Sequence, residues 1–215
     1  MTRLTLAGIV LIAISSVSSR ALALGPGFAF GVHANFTTSN FPGPSVSGTN
    51  QQVSSAYGAG WGGGVHVDAN LMVFSFRLSG DYLHYSIDEN KFRDGFRPFF
   101  GNAVNQMSID GGGLGIIALS VNGKMPVLPL PVITPYLTGG VGLAWVNRDQ
   151  VTTSIAGFSG STFPSSSQSG KTSVDVGAGV DIKIGIALFV EAKYAWIFTD
   201  GSTSTYVPVT IGVTF

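Results

Sequence analysis

After residue 24 the chain alternates. In Phe28-Ala29-Phe30-Gly31-Val32-His33-Ala34-Asn35-Phe36 the even positions are apolar and the odd ones small or polar. Ala59, Trp61, Val65 and Val67 alternate with Gly58, Gly60, Gly62, Gly64 and His66, and Phe74, Phe76, Leu78 and Tyr82 with Ser75, Arg77, Ser79 and Asp81. The same period of two runs through 137–145, 174–183, 188–196 and 206–215. Side chains at that period stand on opposite faces of a strand. The pattern therefore predicts eight strands, at about 27–36, 57–67, 71–84, 109–122, 133–146, 172–183, 187–198 and 206–215. Leu114, Ile116 and Ile117 break strict alternation, which reads as a strand carrying a bulge.

The connections alternate in length. Short links fall at Asp68-Ala69-Asn70, at Gly123 to Pro131 and at Ile184-Gly185-Ile186. Longer ones cover Thr37 to Ser55, Tyr85 to Ser108 and Asn147 to Lys171, with a smaller one at Thr199 to Thr205. Strands near ten residues suffice to cross a bilayer when tilted. Short turns at one end and long polar loops at the other form the pattern of a bacterial outer-membrane barrel. A soluble sandwich alternates too, so the faces must be compared. Here the large apolar residues share a face without charge, as hydrocarbon demands. The other face holds Gly, Ser and Thr with sparse charges of both signs, which suits the narrow interior of a small barrel. The expected fold is all-β: an eight-stranded antiparallel up-and-down transmembrane β-barrel. A secreted, lipocalin-like barrel is the soluble alternative and would turn its large apolar residues inward.

Composition agrees. Only 10% of the 215 residues are charged, 45% are hydrophobic and 30 are glycine. Disorder needs the opposite balance. Equal numbers of basic and acidic residues, 11 of each, give no footprint for nucleic acid. No 18-residue apolar run supplies a membrane-spanning helix. At the amino terminus, Arg3, the apolar run Leu4 to Ile14 and the Ala21-Leu22-Ala23 triplet have the layout of a cleavable signal peptide over residues 1–23, leaving a barrel domain over 24–215. The chain has no Cys, hence no disulfide, thiolate metal site or lipid-attachment cysteine.

The inward charges are the first candidate site. Arg77, Asp81, Asp175, Asp181, Lys183, Glu191 and Lys193 fall on the polar face. Arg77 with Asp81, and Glu191 with Lys193, could form a network that plugs the lumen, either as a gate or as static packing. Trp61, Tyr82, Trp145, Tyr194 and Trp196 lie near the long-loop ends of their strands, where a headgroup interface favours such rings. His33 and His66 point inward and read as hydrogen-bonded lumen histidines. No cluster has metal-ligand spacing, and no cofactor motif is present.

At the carboxyl end, Tyr206-Val207-Pro208-Val209-Thr210-Ile211-Gly212-Val213-Thr214-Phe215 alternates up to a terminal Phe. With the signal peptide and the segment Pro135-Tyr136-Leu137-Thr138-Gly139-Gly140-Val141-Gly142, the whole mature chain resembles the small outer-membrane barrels of the OmpA/OmpX type. The resemblance implies that Phe215 is an assembly signal read by the barrel-assembly machinery, and that interior charge pairs can act as a gate. It also implies residence in the outer membrane of a Gram-negative cell. The chain stops at Phe215, so the peptidoglycan-binding domain of longer members is not expected.

The segment from Tyr85 to Ser108 combines Lys91, Arg93 and Arg97 with Phe92 and Phe96. Its basic groups could pair with lipopolysaccharide phosphates and its aromatics could dock a host surface molecule; the alternative is a solvated loop with its aromatics packed on the rim. The expected function is a non-enzymatic integral outer-membrane protein that contributes to envelope integrity and offers surface loops for adhesion or lipid contact. A narrow pore for small solutes and a lipid hydrolase are the alternatives. Amino-terminal sequencing of the protein from outer-membrane fractions is expected to begin at Leu24, and a chain beginning at Met1 would contradict the signal peptide.

Overall fold

A computed structural model describes residues 27–41, 56–71, 74–128, 130–155, 158–163, 165–184, 186–199 and 202–215. The expected signal peptide, residues 1–23, and most of the first long loop lie outside them. Eight strands close a barrel: β1 (Phe28–Asn40), β2 (Tyr57–Leu71), β3 (Phe74–Ile87), β5 (Leu114–Pro126), β6 (Ile133–Arg148), β9 (Ser166–Lys183), β10 (Ala187–Thr199) and β11 (Ser202–Thr214). Each pairs antiparallel with the next, and β1 closes on β11 through partners from Gly31 and Thr214 to Asn40 and Thr205. No sheet edge is left in the barrel, so its backbone N–H and C=O groups pair along the ladders, as hydrocarbon requires.

The faces are inside out relative to a soluble protein. Phe74, Leu78, Val121, Val141, Val176 and Ile211 face outward and are about half exposed, whereas Arg77, Asn122, Lys124, Asp175 and Glu191 are buried in the lumen. Along β6 the outward positions stay apolar from Ile133 to Leu143. Ten steps span about 33 Å along the strand, or about 25 Å across the membrane at a tilt near 40°. That matches the hydrocarbon band.

Toward the long loops both faces change character together. On β3 the inward series runs Arg77, Ser79, Asp81 and then Leu83 and Tyr85, while the outward series runs Leu78, Gly80, Tyr82 and then His84 and Ser86. On β5, Leu114 and Ile116 are buried in the lumen and Ile117 faces outward. The irregular stretch is therefore this change of polarity and not a bulge: β5 pairs with both neighbours without a register shift. The register shifts lie elsewhere, between Tyr57 and Gly60 and between Ala144 and Val146. The strand expected at 109–122 is also two strands. Gly111 and Gly112 take φ of 80° and 88°, a region costly for other residues, and break the chain between β4 (Ser108–Gly111) and β5.

Beyond the barrel the long loops build a cap. The 85–108 segment holds helix α1 (Glu89–Phe100) and a 3₁₀ turn (Gly101–Gln106). Asp88 caps α1 by accepting from the backbone N–H of Asn90 and Lys91 at 3.1 and 3.2 Å. β4, β7 (Val151–Ile155) and β8 (Phe158–Phe163) form a separate three-stranded sheet. Phe92, Phe96, Val104, Met107 and Val151 bury one another as the core of this cap. At the other end the links expected at 68–70 and 123–131 are shorter, because β2 and β5 continue to Leu71 and Pro126. The link at 199–205 shrinks to a tight hairpin in which Thr199 faces Ser202.

Replacing Val121 by Arg is expected to lower the unfolding free energy in phospholipid vesicles by about 2–4 kcal/mol. Ser86→Arg, beyond the band, should change it by under about 0.5 kcal/mol. Denaturant titration reads both.

Candidate lumen site and loop-end cap

The site begins with a cross-strand pair. Asp68 and Arg77 are register partners on β2 and β3, both inward. Arg77 Nε and Nη2 donate to Asp68 Oδ1 and Oδ2 at 2.7 and 2.9 Å, a bidentate geometry. The expected partner, Asp81, is four residues along the same strand, about 13 Å away at strand rise, and cannot be reached. Asp68 was expected in a turn. Its neighbour Ala69 and the outward Val67 continue the alternation, and that continuation was the signal available for it.

A second cation comes from another segment expected as a turn. Lys124 Nζ donates to both oxygens of Asp181 at 3.1 and 3.2 Å and lies 4.0 Å from the centre of the Tyr136 ring. Phe189 is buried among these charges, with the Arg77 guanidinium 4.2 Å from its ring centre. Stacking on that ring covers the cation with carbon where water is excluded.

Asp81 is held by neutral and histidine donors. His33 Nε2 lies 2.6 Å from its Oδ1, and Asn35 Nδ2 donates to the same oxygen at 2.7 Å. Thr210 Oγ1 donates to Asn35 Oδ1 at 2.6 Å. The second ring nitrogen of His33, Nδ1, faces His66 Nδ1 at 3.2 Å, and His66 Nε2 faces Thr214 Oγ1 at 3.0 Å. The rings fit because the chain carries glycine opposite them: a Cβ at Gly31 would collide with the His66 imidazole, and one at Gly64 with His33. The last group joins Asn122, which donates to Asp175 at 2.5 Å, to Lys193, which bridges Glu191 at 3.1 Å and Asp175 at 3.9 Å.

Of the expected lumen charges, Arg77, Asp81, Asp175, Asp181, Glu191 and Lys193 thus line the interior, in four groups that include Asp68, Lys124, His33 and Asn122. Lys183 does not join them. It is the last residue of β9, where the barrel opens, and is exposed. Above the ionic layer the lumen turns apolar: Leu83, Tyr85, Leu114, Ile116, Val146 and Ile197 pack together with Phe41 and Tyr206. Between the layers lies a small cavity bordered by Asn35, Asp81, Ser120, Asp175, Lys193 and Tyr206.

The aromatic set lies on the outer face. Trp61 is 62% exposed, Tyr82 and Tyr194 are also exposed, and Trp145 and Trp196 are half-buried there. Tyr82, Ile117 and Trp145 are successive cross-strand partners at the level where β3 changes polarity. Phe215 is exposed, and its backbone exchanges hydrogen bonds with Phe30.

In the cap the structure separates residues expected to act together. Phe92 and Phe96, four apart on α1, are fully or nearly buried and stack with ring centres 4.9 Å apart. They are packing groups and not docking aromatics, which agrees with the packed alternative and not with the contact reading. Arg93 donates to Glu89 at 2.7 Å and to the Met107 carbonyl at 3.1 Å, so it ties α1 to the 3₁₀ turn. Lys91 reaches the Tyr57 carbonyl at 3.3 Å, and Arg97 is exposed beside Asp94 at 3.2 Å.

Because Arg77 and Asp68 are both buried, removing one strands the other. Asp68→Ala is expected to cost about 3–5 kcal/mol, and the double change Asp68→Leu with Arg77→Met to recover most of it. Denaturant titration checks this; a loss under about 1 kcal/mol for the single variant would show the pair to be solvated.

The family model described as "Outer membrane protein beta-barrel domain" matches residues 9–215. Among solved structures, the Neisserial surface protein A is 14% identical, with 88% of this chain and 98% of that chain covered and a TM-score of 0.49. Ail, the attachment invasion locus protein of Yersinia pestis, is also 14% identical, with 89% and 100% covered and a TM-score of 0.46. The N-terminal β-barrel domain of Pseudomonas aeruginosa OprF is 14% identical, with 87% and 97% covered and a TM-score of 0.44. No curated protein matches the sequence. A closed eight-stranded sheet with a lipid-facing apolar exterior, matched along nearly its whole length by that family model, makes this chain a member of the outer membrane β-barrel family, resident in the bacterial outer membrane.

Proposed function

We propose that the protein is a non-enzymatic structural barrel that contributes to envelope integrity, with its loop-end cap as a contact surface for lipopolysaccharide or host molecules. The filled lumen is the observation that carries this reading. Each charged residue of the ionic layer among those described has a partner, and an apolar layer lies in series with it. A hydrated ion would have to break both. The network is accordingly a static plug and not a gate, and the apolar layer in series with it weighs against the narrow-channel reading.

His33 and Asp81 resemble part of a hydrolytic set, but each is committed to lumen partners away from the lipid-facing surface. On the cap, Lys91 and Arg97 are exposed and suited to phosphate, while buried Phe92 and Phe96 hold the helix that presents them. Trp61, Tyr82, Trp145, Tyr194 and Trp196 serve as the outer interfacial belt. Phe215 is the residue offered to the assembly machinery.

In planar bilayers the protein is expected to show no steady conductance, and Glu191→Gln to remain closed because the apolar layer persists. A stable open level in either would favour the channel. Deleting residues 88–100 should leave heat-modifiable migration intact and abolish binding to lipopolysaccharide or host cells; retained binding would remove the cap from the function.

A further inference from the structure

The apolar exterior has an edge at the long-loop end and runs further at the other. Past Tyr82 and Trp145 the outward face turns polar, at His84, Ser86 and Asn147. At the short-turn end, among the described residues, it stays apolar into two of the hairpins. Between β5 and β6, Val127, Leu128, Leu130 and Val132 are 46–60% exposed, and the adjacent β9–β10 turn exposes Ile184 and Ile186. A turn standing in water is ordinarily polar, with Gly, Asn, Asp or Ser at its bends.

The backbone of the β5–β6 turn is also poor in N–H donors. Pro126, Pro129 and Pro131 have no N–H to leave unpaired. The Val127 N–H donates to the Pro135 carbonyl at 2.9 Å. The Leu130 carbonyl accepts from Thr134 Oγ1 at 3.3 Å, and the Val132 carbonyl from the Lys183 N–H at 2.8 Å. In hydrocarbon each unsatisfied backbone group costs several kcal/mol, and irregular chain is tolerated only when those groups are met. These three groups are met within the protein, and a seat at the acyl–headgroup boundary, where water and headgroups reach the chain, leaves the others solvated.

We propose that the β5–β6 turn is a lipid-inserted wedge, seated at the boundary between acyl chains and headgroups of the periplasmic phospholipid leaflet. The band on β6 ends at Ile133, so Val127, Leu128, Leu130 and Val132 continue an established lipid-facing surface directly into that boundary. Lys183, exposed at the end of β9 and hydrogen-bonded through its N–H to the turn, stands beside the wedge as a cation for lipid phosphate. Ile184 and Ile186 extend the inserted surface sideways.

The absence of Cys makes the test direct. Leu128→Cys and Leu130→Cys are each labelled with an environment-sensitive fluorophore and refolded as the whole chain into phosphatidylethanolamine–phosphatidylglycerol vesicles. Leu137→Cys serves as the lipid-facing standard and Ser86→Cys as the aqueous one, and heat-modifiable migration confirms folding of each. Quenching by brominated-chain phospholipid is expected to be several-fold greater at 128 and 130 than at 86 and to approach that at 137, with iodide quenching correspondingly weak. Strong iodide quenching without a lipid effect would overturn the proposal. So would protection from both quenchers with a cross-linked dimer through position 128, which would make the occupant a second copy of the chain. Testing both positions keeps the result decisive if one variant fails to fold.

Discussion

Hydrocarbon offers the peptide backbone no partner. Every N–H and C=O that enters it must already be bonded, and a sheet meets that condition only by closing on itself. The pairing of β1 with β11 supplies the closure, and with it the division of each strand into a lipid face and a lumen face. Once the faces are separated, the placement of large apolar side chains outside and of small and ionic ones inside follows from solvation alone.

A barrel of this size must fill its interior with side chains. In the lower lumen the filling is ionic and well paired, arranged around the Phe189 ring. In the upper lumen, where the strands leave the membrane, water bathes the outer surface and the inner one becomes an ordinary apolar core. A single sheet thus crosses two solvents, with the change falling near Asp81 and Tyr82 on β3. The ionic layer and the apolar layer oppose ion passage by different physics, one by pairing and one by the cost of dehydration.

The alternating faces were legible because period two survives any register. Where strands end was harder to read, since alternation gives no signal of its own at a turn: Asp68 and Lys124 continue their strands inward yet sit among residues that resemble turn formers. Pairing across strands also needs the register, which placed Arg77 opposite Asp68 and not near Asp81. The polarity change was visible as Leu114, Ile116 and Ile117, but a run of apolar residues on both faces looks the same as a bulge until the membrane boundary is known. Helix α1 does carry signals in Asp88 as a cap and in Phe92 and Phe96 at helical spacing, but within a long polar loop the two rings fit a contact role as well as a packed one. Lys183 looked inward by parity, and only its position at the barrel mouth takes it out of the network.

Contact between lipid chains and particular side chains tests the inside-out arrangement most directly. In phospholipid nanodiscs, nuclear Overhauser effects from acyl methylenes are expected on Leu78, Val121, Val176 and Ile211 and absent from Leu83, Ile116 and Ile197, although all seven are aliphatic. Acyl contacts on the second set, with the first set shielded from lipid, would contradict the arrangement.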